Sequence, residues 1–121
     1  MYESGENYLE AILMIQNEKG SVHSVDVARK LGVTKPSVSR ALGILREQGF
    51  LQANEGTQII LTEKGLAKAE DVYSRHKLLT EFLVSITGVD EAQAEENACR
   101  IEHVIDKDIV AGITRWMKKN K

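Results

Sequence analysis

The amino-acid sequence predicts a mainly α-helical fold with one small β-hairpin. Apolar residues recur at three- and four-residue spacing along most of the chain, which is the spacing of one helix face. Only one of the 121 residues is proline, so long helices are permitted. Two short apolar runs flank a glycine-containing turn at residues 54–57, a pattern typical of a hairpin.

The composition fits this fold class. Apolar residues make up 42% of the chain and charged residues 28%, which is ordinary for a globular protein and too apolar for a disordered one. Aromatic residues make up only 5%, so the predicted core is mostly aliphatic. The length suits one compact domain, or a small domain with a helical extension.

The first two helices are predicted in the N-terminal third. Apolar side chains recur on one face over residues 4–18, which predicts the first helix. Ser24 is expected to cap a second helix that runs through Leu31. Its apolar side is expected to contain Val25, Ala28 and Leu31.

A third helix follows a turn at residues 32–33. Thr34 is a suitable cap, and Pro36 lies in the first turn, where a missing N–H costs little. The predicted buried stripe consists of Val38, Leu42 and Leu45. Gly49 is expected to end this helix.

The hairpin and three further helices complete the prediction. Phe50-Leu51 and Ile59-Ile60-Leu61 would pair across the turn Asn54-Glu55-Gly56-Thr57. Thr62 and Asp90 are expected to cap two of the helices, and Asp90 and Gln93 have the spacing of a capping box. The three helices are predicted from Thr62 to about Ile86, over about 90–106 and over about 108–118.

The charge is unevenly distributed. The net charge of −2 argues at first against nucleic-acid binding. Residues 22–50, however, hold five basic and two acidic side chains, whereas residues 88–113 hold seven acidic and two basic ones. The first segment could contact phosphate and the second a cation, although two solvated faces would explain the same pattern.

Residues 24–45 have the layout of a helix-turn-helix. Ala28 is small where two helices must approach closely, and Gly32 lies where the turn requires a positive φ. The start of the second helix in such a pair contacts base edges in the DNA major groove. The candidate DNA-binding residues are Lys35, Pro36, Ser37, Ser39 and Arg40. The hairpin would then be a wing with modest phosphate contact; a helical pair that merely packs is the alternative.

A second group of residues has the chemistry of a metal site. Cys99, Glu102 and His103 have i, i+3 and i+4 spacing, so on a helix they would share a face. A thiolate, a carboxylate and an imidazole together suit a divalent transition metal rather than Mg²⁺ or Ca²⁺. His76 could complete this set, and Asn7 with Glu10 would offer oxygen from the first helix. The spacing alone favours the alternative, in which Glu102 forms a surface ion pair, His103 is a partly buried histidine and Cys99 is a small core residue.

At these residues the chain strongly resembles the metal-dependent repressors of the diphtheria toxin repressor (DtxR) and manganese transport regulator (MntR) family. The resemblance covers nearly the whole sequence. The segments that carry it are Glu6-Asn7-Tyr8-Leu9-Glu10, Ala28 to Leu45, Leu61-Thr62-Glu63-Lys64-Gly65, Arg75-His76-Lys77-Leu78-Leu79 and Ala98-Cys99-Arg100-Ile101-Glu102-His103-Val104.

The resemblance implies a winged-helix DNA-binding domain over residues 1–62 and a helical dimerisation and metal-binding domain over residues 63–121. It implies a homodimer that pairs through its C-terminal helices, binds a palindromic double-stranded DNA operator when loaded with metal and represses metal-uptake genes. The metal ligands of the family fall on Asn7, Glu10, His76, Cys99, Glu102 and His103.

The resemblance also indicates which metal to expect. Iron-type members carry cysteine at the position of Cys99 and manganese-type members a carboxylate, so Fe²⁺ is expected first and Mn²⁺ second. Co²⁺, Ni²⁺ and Zn²⁺ would substitute in vitro. Asn7 departs from the family, which carries aspartate or methionine there. The length predicts a short form without the SH3-like third domain.

Other observations bear on compartment and on alternative functions. No segment approaches the about 20 apolar residues of a membrane span, and the N-terminus has no signal-peptide pattern. Cys99 is the single cysteine, which favours the cytoplasm. Control by thiol redox at Cys99 or by a small ligand is an alternative to control by metal. A metal-dependent enzyme is disfavoured because the chain has no His-Glu-x-x-His pattern.

Overall fold

A computed structural model describes residues 3–53 and 56–120, and over these ranges the chain is mainly helical with six helices. The helices are α1 (Glu3–Lys19), α2 (Ser24–Leu31), α3 (Lys35–Glu47), α4 (Glu63–Thr87), α5 (Glu91–Ile101) and α6 (Lys107–Lys119). The chain forms two compact units, Met1–Glu70 and Asp71–Lys121, and the division falls inside α4.

The first unit has its core between α1, α2 and α3. Leu9 and Ile12 of α1 are fully buried, as the predicted helical periodicity requires. Gly32 ends α2 in the left-handed region at φ 67°, and the N–H of Val33 donates to the carbonyl of Ala28 over 3.1 Å. Glycine adopts this conformation without a Cβ penalty, so the predicted turn is confirmed.

Two predictions for α2 are wrong. The N-cap is His23 rather than Ser24, and the backbone N–H of His23 donates to the Asp26 carboxylate over 3.0 Å. Val25 is 44% exposed, whereas Val27 is fully buried. Because the helix turns Asp26 and Val27 inward together, Val25 lies on its outer side.

The third helix matches its prediction. The backbone N–H of Ser37 donates to Oγ1 of Thr34 over 3.3 Å, which makes Thr34 the N-cap, and Pro36 lies in the first turn. The predicted inner stripe is buried and consists of Val38, Leu42 and Leu45.

The expected hairpin is not confirmed. The described residues show only isolated antiparallel bridges, between Leu51 and Leu61 and between His23 and Gln58. The segment 58–61 forms backbone hydrogen bonds with two different segments. The Ile60 carbonyl accepts from the N–H of Gln52, whereas the N–H of Ile59 donates to the carbonyl of Val22. Neither partner therefore forms a continuous ladder. Asn54 and Glu55 of the predicted turn lie outside the described residues.

The start of α4 is fixed against the end of α3. Thr62 caps α4 by accepting from the N–H of Gly65 over 3.0 Å, and its hydroxyl donates to the Gly49 carbonyl over 2.6 Å. The ammonium of Lys64 donates to the Gln48 carbonyl over 2.6 Å. Gly65 packs so closely that an added Cβ would overlap the Phe50 carbonyl oxygen.

The second unit contains the rest of α4 with α5 and α6. Asp90 caps α5 by accepting from the N–H of Gln93 over 2.8 Å, as predicted. The helix ends at Ile101 instead of continuing to about residue 106, because the N–H of Val104 turns back to the Ile101 carbonyl. No helix among the described residues has both the length and the apolar character that crossing a membrane requires.

Candidate metal centre and nucleic-acid interface

The exposed side of α3 carries the candidate DNA-binding residues. Lys35, Pro36, Ser39 and Arg40 are exposed, and Ser37 is half-buried. Residues 35, 36, 39 and 40 occupy consecutive turns of one helix face, opposite the buried stripe. This face therefore presents two cations and a hydroxyl to solvent without disturbing the core, and such groups recognise guanine and phosphate.

A hydroxyl pair fixes the first turn of this face. Oγ1 of Thr34 and Oγ of Ser37 lie 2.9 Å apart, in addition to the capping bond between Thr34 and the Ser37 N–H. The bond that the Thr34 hydroxyl donates to Oγ of Ser37 restricts the Ser37 rotamer, and the capping bond fixes the Ser37 backbone. Ser37 therefore presents its hydroxyl in a defined position beside Lys35.

In the second unit, a buried carboxylate lies between two imidazoles. Glu102 is completely buried at the C-terminal end of α5. Its Oε2 lies 2.8 Å from Nδ1 of His76 on α4, and its Oε1 lies 3.2 Å from Nε2 of His103. The His103 side chain is also fully buried. Three of the residues that the sequence singled out are thus together.

The cluster fits a divalent transition metal. A buried carboxylate is costly unless it is paired or bound to a metal. The Oε1 atom of Glu102 makes no hydrogen bond of acceptable geometry to any described residue, although His103 lies beside it. One carboxylate and two imidazoles are ligands that Fe²⁺, Mn²⁺ and Zn²⁺ accept.

Cys99 precedes Glu102 by one helical turn. Its position on α5 has the expected i, i+3 spacing, but its side chain is exposed. His103 lies in the turn after α5 rather than on the helix itself. The shared helix face predicted for the three residues is therefore only partly present.

The N-terminal candidates lie on α1 in the first unit. Asn7 is half-buried and Glu10 is buried, and their i, i+3 spacing places them one turn apart on the same helix. Glu6 is also buried and forms an ion pair with Lys68 over 3.1 Å. Glu10 supplies a carboxylate and Asn7 an amide oxygen, and both suit hard or borderline cations.

Sequence reasoning missed Asp26. Its side chain is buried, and its Oδ1 accepts from the Lys19 ammonium over 2.7 Å while its Oδ2 accepts from the His23 N–H over 3.0 Å. Hydrogen bonding to Lys19, and then to the His23 N–H, holds the pKa of the Asp26 carboxyl below its usual range. An acidic residue at the third position of α2 was the available signal, but histidine is not a usual N-cap.

An apolar groove of about 380 Å³ runs between α4 and α6 in the second unit. Ile86 is 50% exposed, Ile109 52% and Trp116 39%. The rings of Phe82 and Trp116 meet edge to face, with centroids 5.5 Å apart. Large apolar side chains exposed together mark an interaction surface more often than a solvated one.

Comparison with known proteins identifies related families and folds. Residues 1–57 match the model for the N-terminal DNA-binding domain of iron-dependent repressors, and residues 62–121 match the model for the iron-dependent repressor metal-binding and dimerisation domain. The chain is 32% identical over 122 residues to the uncharacterised HTH-type transcriptional regulator MJ0568 of Methanocaldococcus jannaschii. That match covers 100% of this chain and 98% of the relative.

Longer relatives match over part of their length. The iron-dependent repressor IdeR of Mycobacterium tuberculosis is 29% identical over 109 residues, which cover 90% of this chain and 47% of IdeR. The chain thus spans about half the length of this relative. A solved structure of a manganese-dependent transcriptional repressor in complex with manganese is 26% identical, with a TM-score of 0.87, and covers 94% of this chain and 52% of that protein.

Proposed function

This chain belongs to the iron-dependent repressor family, and on that premise we propose that it is a transcriptional repressor whose DNA binding depends on a divalent transition metal. The family contains regulators named for iron and for manganese. The observation that carries the metal half of the proposal is the buried Glu102 carboxylate between His76 and His103. The exposed face of α3 is the observation that supports the DNA-binding part of the proposal.

Residues 1–62 would bind DNA. Lys35 and Arg40 would contact guanine or phosphate, Ser37 and Ser39 would contact base edges or phosphate, and Pro36 would pack against the groove. The exposure of residues 35, 36, 39 and 40 on one face of α3, and the excess of basic side chains over residues 22–50, support this assignment. The DNA would be a palindromic operator that controls metal-uptake genes, and the protein would act in the cytoplasm.

Residues 63–121 would provide the metal-binding and dimerisation functions. His76, Glu102 and His103 would be ligands, and the proposal is supported by the contact of each imidazole with one oxygen of the Glu102 carboxylate, at 2.8 Å for His76 and 3.2 Å for His103. Cys99 would be a further ligand after a rotation of its exposed side chain, and Asn7 and Glu10 would supply oxygens from α1. We propose Fe²⁺ first and Mn²⁺ second, because a thiolate in the set favours the softer ion.

Homodimer formation would use the apolar groove of α4 and α6. Its aromatic pair and exposed isoleucines provide the apolar area that a stable contact between two copies needs. A C₂ dimer places two recognition helices against the half-sites of a palindrome, about 34 Å apart. Bound metal would act by its higher affinity for the DNA-competent conformation.

A selection experiment tests this function and does not require a defined operator sequence. Full-length protein is incubated with a random-sequence duplex pool in the presence of Mn²⁺, of anaerobic Fe²⁺ or of a chelator. We expect a palindromic sequence to be enriched with Mn²⁺ or Fe²⁺ and not with the chelator. Mg²⁺ at the same concentration is the matched control, since a site with imidazole ligands does not select it. Equal enrichment with the chelator would contradict metal dependence.

A further inference from the structure

We propose that Asp26 is a positioning residue that couples α1 to the DNA-reading elements, an inference that rests on the proposed function. Asp26 is assigned no contact of its own with metal or DNA. It fixes the positions of the segments that make those contacts.

The carboxylate of Asp26 joins two helix ends. Lys19 is the last residue of α1, and its ammonium lies 2.7 Å from Oδ1 of Asp26. His23 is the N-cap of α2, and its N–H donates to Oδ2 over 3.0 Å. Because Asp26 is buried, both oxygens depend on these donors for their stabilisation. The end of α1 is therefore tied to the start of α2 by a single side chain.

The same connection extends to the segment after α3. The carbonyl of Val22 accepts from the N–H of Ile59 over 2.7 Å, and His23 forms an antiparallel bridge with Gln58. Residues 22–23 are thus held on one side by Asp26 and on the other by residues 58–59. A displacement of the end of α1 would shift the start of α2 and the 58–59 segment together.

The position of Lys19 on α1 makes this connection relevant to metal. Asn7 and Glu10, the proposed α1 ligands, lie on the same uninterrupted helix as Lys19. Glu10 and Lys19 are nine residues apart, or about 14 Å along the axis. A helix transmits a change at one end to the other as a nearly rigid rod. If metal binding fixed the position of α1 near Asn7 and Glu10, the Lys19–Asp26 ion pair would also fix the position of the start of α2.

A thermodynamic test separates coupling from a merely structural role. The affinity of full-length protein for a duplex selected from a random pool is measured with Mn²⁺ and with chelator, and the ratio of the two affinities gives the metal-induced gain. We expect Lys19→Met to lower this gain about fivefold, because 5- to 150-fold is the usual range of coupling between two sites. Lys30→Met is the matched control: it removes the same charge from an exposed position on α2. It should weaken binding equally in both conditions and leave the gain unchanged.

Reciprocity supplies a second readout. The DNA-induced gain in Mn²⁺ affinity, measured by calorimetry, should fall by the same factor in Lys19→Met. Lys19→Arg keeps the ion pair and should restore both gains. Asp26→Asn keeps an acceptor for the His23 N–H but loses the charge, and should behave as Lys19→Met does. This second variant keeps the test decisive if Lys19→Met is poorly folded.

The outcomes distinguish the coupling from the proposed function. If the wild type shows a metal-induced gain and Lys19→Met and Asp26→Asn retain it in full, the coupling is overturned and the repressor function stands. If the wild type shows no gain with Mn²⁺ or anaerobic Fe²⁺, the proposed function fails and the coupling fails with it. A gain that falls in Lys19→Met and not in Lys30→Met supports the coupling.

Discussion

The Nδ1 atom of His76 lies 2.8 Å from Oε2 of Glu102, a contact between residues 26 positions apart that joins α4 to the end of α5. The contact brings an imidazole to a carboxylate that is completely buried. A fully buried carboxylate without a partner would be strongly destabilising, so His76 offsets part of the cost of burying Glu102 and is also its candidate partner in binding metal.

Replacing Glu102 should remove metal binding. Glu102→Gln keeps the shape of the side chain but loses the negative charge. Because loss of a residue that only supports a metal ligand already costs about 10- to 100-fold in affinity, we expect Mn²⁺ affinity to fall at least about 100-fold when a ligand itself is replaced. Isothermal titration calorimetry measures the change. Glu96→Gln is the control, since Glu96 is an exposed carboxylate on the same helix. Unchanged Mn²⁺ affinity in a folded Glu102→Gln protein would exclude Glu102 as a ligand.

Replacing Arg40 should weaken DNA binding and spare the metal site. Loss of one bidentate guanidinium contact to a base typically costs about 1–3 kcal/mol, so Arg40→Ala should bind the selected duplex about 5- to 150-fold more weakly. Binding is measured by fluorescence anisotropy over a series of salt concentrations. If Arg40 contacts phosphate, the slope of log affinity against log salt should also decrease by about one.

Arg115→Ala provides the control for that substitution, because Arg115 is an exposed arginine on α6, outside the proposed DNA-binding face. It should leave DNA affinity within about twofold of the wild type at moderate salt, where distant charges are screened. Equal losses in the two variants would mean that Arg40 contributes only general charge.

Gly65 should tolerate no side chain. An added Cβ would overlap the Phe50 carbonyl, which is backbone and cannot move aside cheaply. We expect Gly65→Ala to lower the free energy of unfolding by about 2 kcal/mol or more, within the range known for overpacking. Gly43→Ala is the control, since its Cβ would meet nothing within 4 Å on the helical α3. It should raise stability by roughly 0.5–1 kcal/mol, and urea unfolding measures both. Similar effects in the two variants would contradict the close packing at Gly65.

The ion pair of Asp26 should make stability depend on pH in the acid range. Because Lys19 and the His23 N–H lower the pKa of Asp26 below its ordinary 3.8, the folded protein favours the ionised carboxylate. The resulting stabilisation is fully present above pH 3.8 and is lost as the pH falls through the lowered pKa. Wild type should therefore exceed Asp26→Asn in stability at pH 6, and the difference should shrink in more acidic solutions. A difference that stays constant or grows on acidification would contradict the prediction.

Local sequence signals predicted part of this fold well. Thr34, Thr62 and Asp90 each cap a helix because a short polar side chain precedes an apolar repeat, and this relationship lies within a few residues. The cap of α2 was missed because its hydrogen bond runs from the His23 backbone to Asp26, and histidine offers no such signal. The hairpin is not confirmed over the described residues, because Ile59 pairs with Val22, a distant segment that a local pattern cannot reveal.

In the candidate site, too, local spacing predicted some features, whereas tertiary packing determined others. Spacing along α5 predicted that Glu102 and His103 lie close together, and Glu102 Oε1 is 3.2 Å from His103 Nε2. His76 was a candidate to complete the set, and the family resemblance also placed a ligand there. Spacing along the chain could not predict that His76 contacts Glu102, because that contact depends on tertiary packing. It also could not predict the end of α5 at Ile101, where the backbone turns toward α6.

The most direct test of metal-dependent repression is the affinity of the full-length protein for its selected duplex, measured anaerobically by fluorescence anisotropy with Fe²⁺, with Mn²⁺ and with a chelator. Metal-dependent repression predicts at least about tenfold tighter binding with either metal, and no such gain in Glu102→Gln. Equal affinity of the wild-type protein in all three conditions would contradict it.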